Sequence, residues 1–237
     1  MRISKRLYTI AFILGVFTFS SCGIKGEGEP IQVSYELSGI EGIDLKLAGD
    51  VYIEQSEVSE FTVVGQENVI DNVELIMRDN ILRIDFGRSV KDHKGIQFYI
   101  KTQEDLRRLK VFGSGKIYSL KTLDSDNIDL GVDGSGRVSV KTIAQNVKAA
   151  ISGSGSIEVE GTGNFLESNI AGSGQIRADE LEVEKCKASI SGSGSANLNV
   201  STELEANIDG SGNIYYRGNP EVTKRVSGSG NVIQIRD

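Results

Sequence analysis

The sequence predicts an all-β protein, a β-solenoid or β-helix-like stack of repeats of about 19 residues, with a β-rich N-terminal portion before the regular repeats. The first observation behind this prediction is a recurring tripeptide. Gly-Ser-Gly begins at Gly113, Gly134, Gly153, Gly172, Gly192, Gly210 and Gly228, in steps of 18 to 21 residues. A fixed period of this size is typical of architectures in which each unit buries its apolar face by stacking on the next.

The second observation is an alternation of apolar and polar residues on both sides of each tripeptide. Two positions before the first glycine, all seven residues are apolar and β-branched: Val111, Val132, Ile151, Ile170, Ile190, Ile208 and Val226. Four positions after it, all seven are apolar: Ile117, Val138, Ile157, Ile176, Ala196, Ile214 and Val232. This pattern predicts strand, tight turn, strand in each copy, regular from about residue 107. Arg107 and Lys224 depart from it at positions that should face inward.

Two topologies fit the pattern, a solenoid with one repeat per turn and an antiparallel meander of hairpins. The solenoid is favoured because equivalent residues recur at equivalent positions, which stacking in register rewards. Seven turns at a strand spacing of ~4.8 Å would extend roughly 29 Å over six steps.

The corners predict a special backbone and a column of serines. A turn within three residues commonly needs a positive φ, so we expect one at Gly172 or Gly174. Replacement of Gly161, which lies outside the tripeptides, should then have a milder effect than replacement of a corner glycine. Stacking in register would align the seven corner serines in a column, which is a candidate surface. Their hydroxyl groups either contact a ligand or bond the local backbone. These serines are Ser114, Ser135, Ser154, Ser173, Ser193, Ser211 and Ser229.

The N-terminus has the pattern of a secretory signal. Basic residues precede a 13-residue stretch, Leu7 to Phe19, which is too short to span a bilayer and suits a signal peptide over residues 1–21. Small residues directly before Cys22 resemble a lipobox, which implies cleavage there and a lipid on Cys22. Ordinary cleavage beside a chance cysteine is the alternative. Residues 22–30, rich in Gly and Glu, predict a flexible tether to a domain spanning 31–237.

Residues 31–110 are also patterned as strands. Asp79 and Asn80 lie between two apolar stretches and predict a two-residue hairpin turn. The segment Ala48–Val51, flanked by Leu47, resembles a degenerate first corner. A single helical turn is expected at Gln103–Arg108.

Charge and composition argue against several functions. Without residues 1–21 the chain has 23 basic and 33 acidic residues, a net charge of −10, which makes it a poor candidate for binding nucleic acid. His93 is the only histidine, so a triad together with a zinc site is excluded, and no metal or other cofactor is expected. Cys186 stands at an inward position and should pack as a small hydrophobe.

The repeats resemble a bacterial family described as the putative auto-transporter adhesin, head GIN domain. The likeness rests on the Gly-Ser-Gly array, the Ala48–Ile53 corner and the ending Tyr216-Arg217-Gly218-Asn219-Pro220, and it covers residues 35 to 235 approximately. It implies a solenoid-like fold in lipid-anchored or secreted proteins, without a catalytic residue to carry over.

The leading hypothesis is a non-catalytic lipoprotein of the bacterial cell envelope, anchored in the outer membrane, that acts in adhesion or envelope interaction. Its expected partners are the membrane, through the lipid, and a glycan or protein ligand. A carbohydrate-active enzyme is the first alternative, although the acidic residues recur at no fixed repeat position. A purely structural spacer is the second.

Overall fold

The computed structural model describes residues 23–236, so the predicted signal peptide and Cys22 lie outside the described residues. One short helix, α1 (Glu67–Ile70), accompanies the strands of this region. The strands are β1 Ile24–Lys25, β2 Pro30–Tyr35, β3 Gly42–Leu45, β4 Asp50–Gln55, β5 Glu60–Gln66, β6 Val73–Arg78, β7 Ile81–Phe86, β8 Val90–Asp92, β9 Gln97–Thr102, β10 Arg108–Gly113, β11 Lys116–Gly134, β12 Arg137–Gly153, β13 Ser156–Gly172, β14 Gln175–Gly192, β15 Ser195–Gly210, β16 Asn213–Arg217, β17 Glu221–Gly228 and β18 Asn231–Gln234. Nowhere between residues 23 and 236 is a helix long and apolar enough to cross a membrane.

From β10 onward the chain is a β-solenoid of about seven turns with a repeat of ~19 residues. Each long strand runs from one Gly-Ser-Gly corner to the next, bends midway, and pairs in parallel with the following turn; we call each such turn a rung. Gly153, for example, lies opposite Gly172, and Gly172 lies opposite Gly192. Because neighbouring copies are parallel and in register, the solenoid prediction is confirmed and the antiparallel meander is wrong.

The core is a column of stacked aliphatic side chains inside the rungs. Ile170 is only 3% exposed and lies between Ile151 and Ile190 in register. The side chain four positions before each corner becomes smaller along the stack, from Leu109 and Leu130 to alanine or serine in the middle rungs. These residues are buried. The alternation of apolar and polar residues therefore predicts correctly which residues face inward in the interior of the stack.

The two exceptions in the pattern lie at the ends of the stack. Arg107 is exposed and pairs with Glu41 at 2.8 Å, while the preceding Leu106 is fully buried and takes the place in the core. In the last rung Lys224 is exposed, and so is Val226, which is 42% exposed and was expected to be buried. No described strand lies on the outer side of β17 and β18, so their inward residues lack a neighbour on that side.

The N-terminal portion supplies two further turns, but out of chain order. Strands β3 and β4 stack in parallel on β10 and β11, and β7 and β9 stack in parallel on the far side of β3 and β4. The predicted degenerate corner is present, since the carbonyl of Gly49 accepts a hydrogen bond from the amide of Lys116. The residue of β3 opposite Val111 is Leu45, and the flanking Leu47 is buried as well.

Antiparallel strands close this end of the solenoid. β2 pairs with β5, β5 with β9, and β6 with β7. The β6–β7 hairpin turns at Asp79 and Asn80, whose φ angles are 49° and 61°, as the two-residue turn prediction requires. The helical turn expected at Gln103–Arg108 is wrong: that segment connects β9 to β10 without a helix.

The described part of the predicted tether touches the body of the protein. β1 pairs with β8, and the carboxylate of Glu29 lies 2.6 Å from the ammonium group of Lys94. From Ile24 onward this segment therefore has fixed contacts with the domain.

Candidate functional site

The seven corner serines form a single column along one edge of the solenoid, and all seven are exposed. Their backbone amides belong to the stack: the amide of Ser173, for example, donates to the carbonyl oxygen of Gly153 at 2.9 Å. None of the seven hydroxyl groups hydrogen-bonds to another group within residues 23–236. The interpretation that the hydroxyls bond local backbone is therefore wrong, and they face solvent.

The two glycines of each corner are required for different reasons. The first glycine has a positive φ in every copy, +125° at Gly172, which confirms the expected left-handed backbone. The second has no positive φ, but a Cβ on Gly174 would come within 2.6 Å of the Ile151 side chain. At Gly172 the backbone conformation and the close approach of the neighbouring rung both require glycine, whereas at Gly174 close packing alone does.

Substitution of Gly161 was expected to be milder than substitution of a corner glycine, and the geometry around Gly161 contradicts this expectation. It has a φ of +120°, and it pairs in register with Thr142, whose carbonyl oxygen a Cβ would strike. Gly161 therefore lies in a second bend of the rung, within the stacked structure rather than outside it.

A long open groove runs along the stack beside the corners. We call it the trough; it has a volume of about 860 Å³. Its floor consists of the outward residues one and three positions before each corner, which are small in the middle rungs: Gly131, Asp133, Ala150, Ser152, Asn169, Ala171, Ser189, Ser191, Asn207 and Asp209. Such a floor leaves backbone and short side chains accessible over five successive rungs.

Larger residues close the trough at both ends. At one end the side chain of Lys110 lies over Gly131, and Phe112 packs beneath the ammonium group of Lys46, whose nitrogen lies 5.0 Å from the ring centroid. At the other end Arg225 lines the groove in the last rung.

One rim of the trough carries charges of alternating sign, five positions before each corner. Lys148 pairs with Glu167 at 3.5 Å, and Lys187 pairs with Glu205 at 3.3 Å. Because stacked opposite charges cancel, this rim has no strong preference for a charged ligand. Such exposed pairs each add little stability.

The residues of the trough floor were not singled out from the sequence. The size of the side chains could have identified them. Outward positions elsewhere in the repeats carry Lys, Glu and Arg, whereas the floor positions, one and three before each corner, carry Gly, Ala, Ser, Asn and Asp in the middle rungs.

The single histidine and Cys186 lie in different parts of the fold, the loop between β8 and β9 and strand β14. His93 is in the exposed loop before Gly95, and its Nδ1 accepts a hydrogen bond from the Gly95 amide at 3.0 Å. Burial raises the pKa of the Cys186 thiol to about 12, so it remains a neutral, unreactive thiol at neutral pH. Within residues 23–236 no three His, Cys, Asp or Glu side chains are grouped to hold a metal ion.

A model of the family described as putative auto-transporter adhesin, head GIN domain, matches residues 40–220 of this chain. None of the curated proteins matches it significantly. The family match spans both the N-terminal turns and most of the regular rungs, and it agrees with the resemblance noted from the repeats.

Solved structures from Bacteroides and Parabacteroides share the fold. A putative adhesin from Bacteroides fragilis is 25% identical with a TM-score of 0.85, over 90% of this chain and 100% of that one. A putative lipid binding protein from Parabacteroides distasonis is 27% identical with a TM-score of 0.75, over 91% and 100% of the two chains. A putative adhesin from Parabacteroides distasonis is 26% identical with a TM-score of 0.72, over 90% and 100%.

Proposed function

Since the chain belongs to the family of the putative auto-transporter adhesin, head GIN domain, we propose that it is a non-catalytic, lipid-anchored protein of the outer membrane that acts in adhesion. In this proposal the trough is the contact surface, and it binds an extended partner that lies along the axis of the stack.

The observation that carries this proposal is the form of the trough. The side chains of its floor are short from Gly131 to Asn207, so a chain-like ligand could lie against each rung in turn. The rungs repeat every ~4.8 Å, so contacts recur at a constant spacing along its length. A surface of many equivalent weak contacts suits adhesion, because binding strength then comes from their number.

The anchor in this proposal is a lipid on Cys22. Replacement of Cys22 by Ala should release the protein from the membrane fraction and abolish fatty-acid labelling. Labelling that survives Cys22→Ala would contradict the lipoprotein assignment. Protease treatment of intact cells would then tell whether the solenoid faces outward.

The contact surface is tested with the soluble domain, residues 23–237, on a panel of glycans, extracellular matrix proteins and phospholipid vesicles. The double variant Ala150→Arg/Ala171→Arg places two long side chains on the trough floor and should abolish binding to any partner that wild type retains. Gln175→Arg, on the neighbouring face, is the matched control and should bind as wild type does.

Two outcomes of the panel would contradict the adhesive role of the trough. A domain that binds nothing supports the structural spacer. A partner that binds wild type and the Ala150→Arg/Ala171→Arg variant equally uses another surface. Conversion of a glycan into shorter products would point to the carbohydrate-active enzyme instead.

A further inference from the structure

Three tyrosines stack on the face that follows the corners, on the other side of the serine column from the trough. Tyr99, Tyr52 and Tyr118 occupy equivalent positions in β9, β4 and β11. Their ring centroids are 5.1 Å and 5.6 Å apart, with interplanar angles of 16° and 18°. Tyr52 thus packs against one face of Tyr118 and holds the plane of the Tyr118 ring roughly perpendicular to the axis of the stack.

The other face of Tyr118 looks toward a small residue. Its neighbour in the next rung is Ser139, and the neighbour after that is Glu158. Two steps of ~4.8 Å place Glu158 about 10 Å from Tyr118, which leaves space above Ser139 for one flat ring between them. Arg177 holds the Glu158 carboxylate at 3.0 Å, so this wall of the space is also fixed.

The space opens sideways into a depression. The first repeat has 21 residues, and the extra ones interrupt the pairing of β11 with β12 between Tyr118 and Thr122. The displaced segment is held by the Lys141 amide, which donates to Ser119 Oγ at 2.9 Å. The depression has a volume of about 680 Å³, and its lining includes Ser119, Ser139, Lys141 and Glu160. We call it, together with the space above Ser139, the Tyr118 slot.

The charges around the Tyr118 slot favour an anion in an otherwise acidic chain. Arg137 and Lys141 flank Ser139 on its own strand and are both exposed, and neither forms a salt bridge with any group in residues 23–236. Glu160 lies opposite Lys141 in the next rung without approaching it within 4.0 Å. Lys116, opposite Arg137, has only a long contact of 4.0 Å with Asp50.

We propose that the Tyr118 slot binds one uronic acid residue of an acidic glycan. The apolar face of the pyranose ring packs on Tyr118, and the carboxylate meets Arg137, whose guanidinium can donate two parallel hydrogen bonds. Ser139 lies beneath the ring, and Glu158 and Glu160 accept hydrogen bonds from its hydroxyl groups. The proposal goes beyond the adhesive role of the trough and uses none of its residues.

The test measures binding of a galacturonic acid hexamer to the lipid-free chain by calorimetry, with a galactose hexamer as the neutral probe. Wild type should bind the acidic hexamer, with an affinity that falls as salt is added, and should bind the neutral one at least about tenfold more weakly. Tyr118→Ala and Arg137→Gln should each lower the affinity for the acidic hexamer by about tenfold or more.

Matched controls lie elsewhere on the solenoid. Tyr215→Ala removes a tyrosine from the same column near the C-terminal end, and Lys148→Gln removes a cation from the trough rim. Both should change the affinity less than about twofold, as should Ala150→Arg/Ala171→Arg, which separates this site from the trough. Tyr118→Leu, which keeps the packing on Tyr52, should still lose binding.

Three results would overturn the proposal. The first is no binding of the acidic hexamer by wild type. The second is equal affinity for the acidic and neutral hexamers. The third is affinity unchanged in Tyr118→Leu or in Arg137→Gln.

Discussion

Gly172 lies directly opposite Gly153 in the neighbouring rung, and a Cβ on Gly172 would collide with the carbonyl oxygen of Gly153. The same carbonyl accepts the Ser173 amide at 2.9 Å. From Gly134 to Gly228 each corner is thus built on the backbone of the one before it, so close approach adds to the positive φ in requiring glycine there; Gly113 has only the positive φ.

Substitution at Gly172 should destabilise the whole stack. Gly172→Ala combines a positive φ, which costs about 1–3 kcal/mol, with the collision. Gly161→Ala should be as severe, since its φ is +120° and its Cβ would strike the Thr142 carbonyl. The measurement is the free energy of unfolding in denaturant.

Gly28→Ala is the control for these two variants, because Gly28 has a φ of +77° but no atom within 4 Å of its added Cβ. It should retain more stability than either. Equal losses in Gly28→Ala and Gly161→Ala would mean that close approach between rungs is not the main constraint.

Ser168 should be replaceable with a gain in stability. It is 1% exposed, lies between Ala149 and Ala188 in the core column, and its hydroxyl has no hydrogen-bond partner in the described region. Ser168→Ala removes an unsatisfied buried group and should raise the free energy of unfolding by about 1 kcal/mol or more. Exposed Ser173→Ala should change it by less than about 0.5 kcal/mol. A destabilised Ser168→Ala would show that the hydroxyl is bonded after all.

Cys186 should make stability depend on pH at the alkaline end. Burial raises the pKa of its thiol from 9.0 to about 12, so the folded state keeps the proton that the unfolded state loses. Stability from this group is full below pH 9 and declines as the pH rises toward 12, by at most about 1.4 kcal/mol per unit. Cys186→Val should lose less stability than wild type over this interval, as measured by denaturant unfolding at each pH. Parallel curves for the two proteins would contradict the buried thiol.

The regular rungs could be predicted because residues of the same kind recur at the same offset from each Gly-Ser-Gly corner, and each copy forms one rung. Ile151, Ile170 and Ile190 stand at the same distance from their corners, and that distance alone places them in the core. At the last rung the same rule fails for Val226, because burial requires a following neighbour and not only an inward position.

The N-terminal turns and the Tyr118 slot could not be predicted in this way. Tyr52, Tyr99 and Tyr118 each follow a polar and an apolar residue, but they come together only because the strand containing Tyr52 lies between two strands that occur later in the chain. Such an order depends on pairings between distant segments, which no local period reveals. The 21-residue first step was the one visible sign of the displaced segment beside Tyr118.

The trough and the Tyr118 slot both depend on rungs that stack in register, and a distance between spin labels at Ser135 and Ser229 tests this most directly. The labels are attached to cysteines at these two corners in a chain that lacks Cys22 and carries Cys186→Val. Five steps of ~4.8 Å predict a narrow distribution centred about 24 Å, broadened by a few ångströms for the label linkers. A distance beyond about 40 Å, as expected if alternate corners lay at opposite ends of long strands, would contradict the stack and both surfaces built on it.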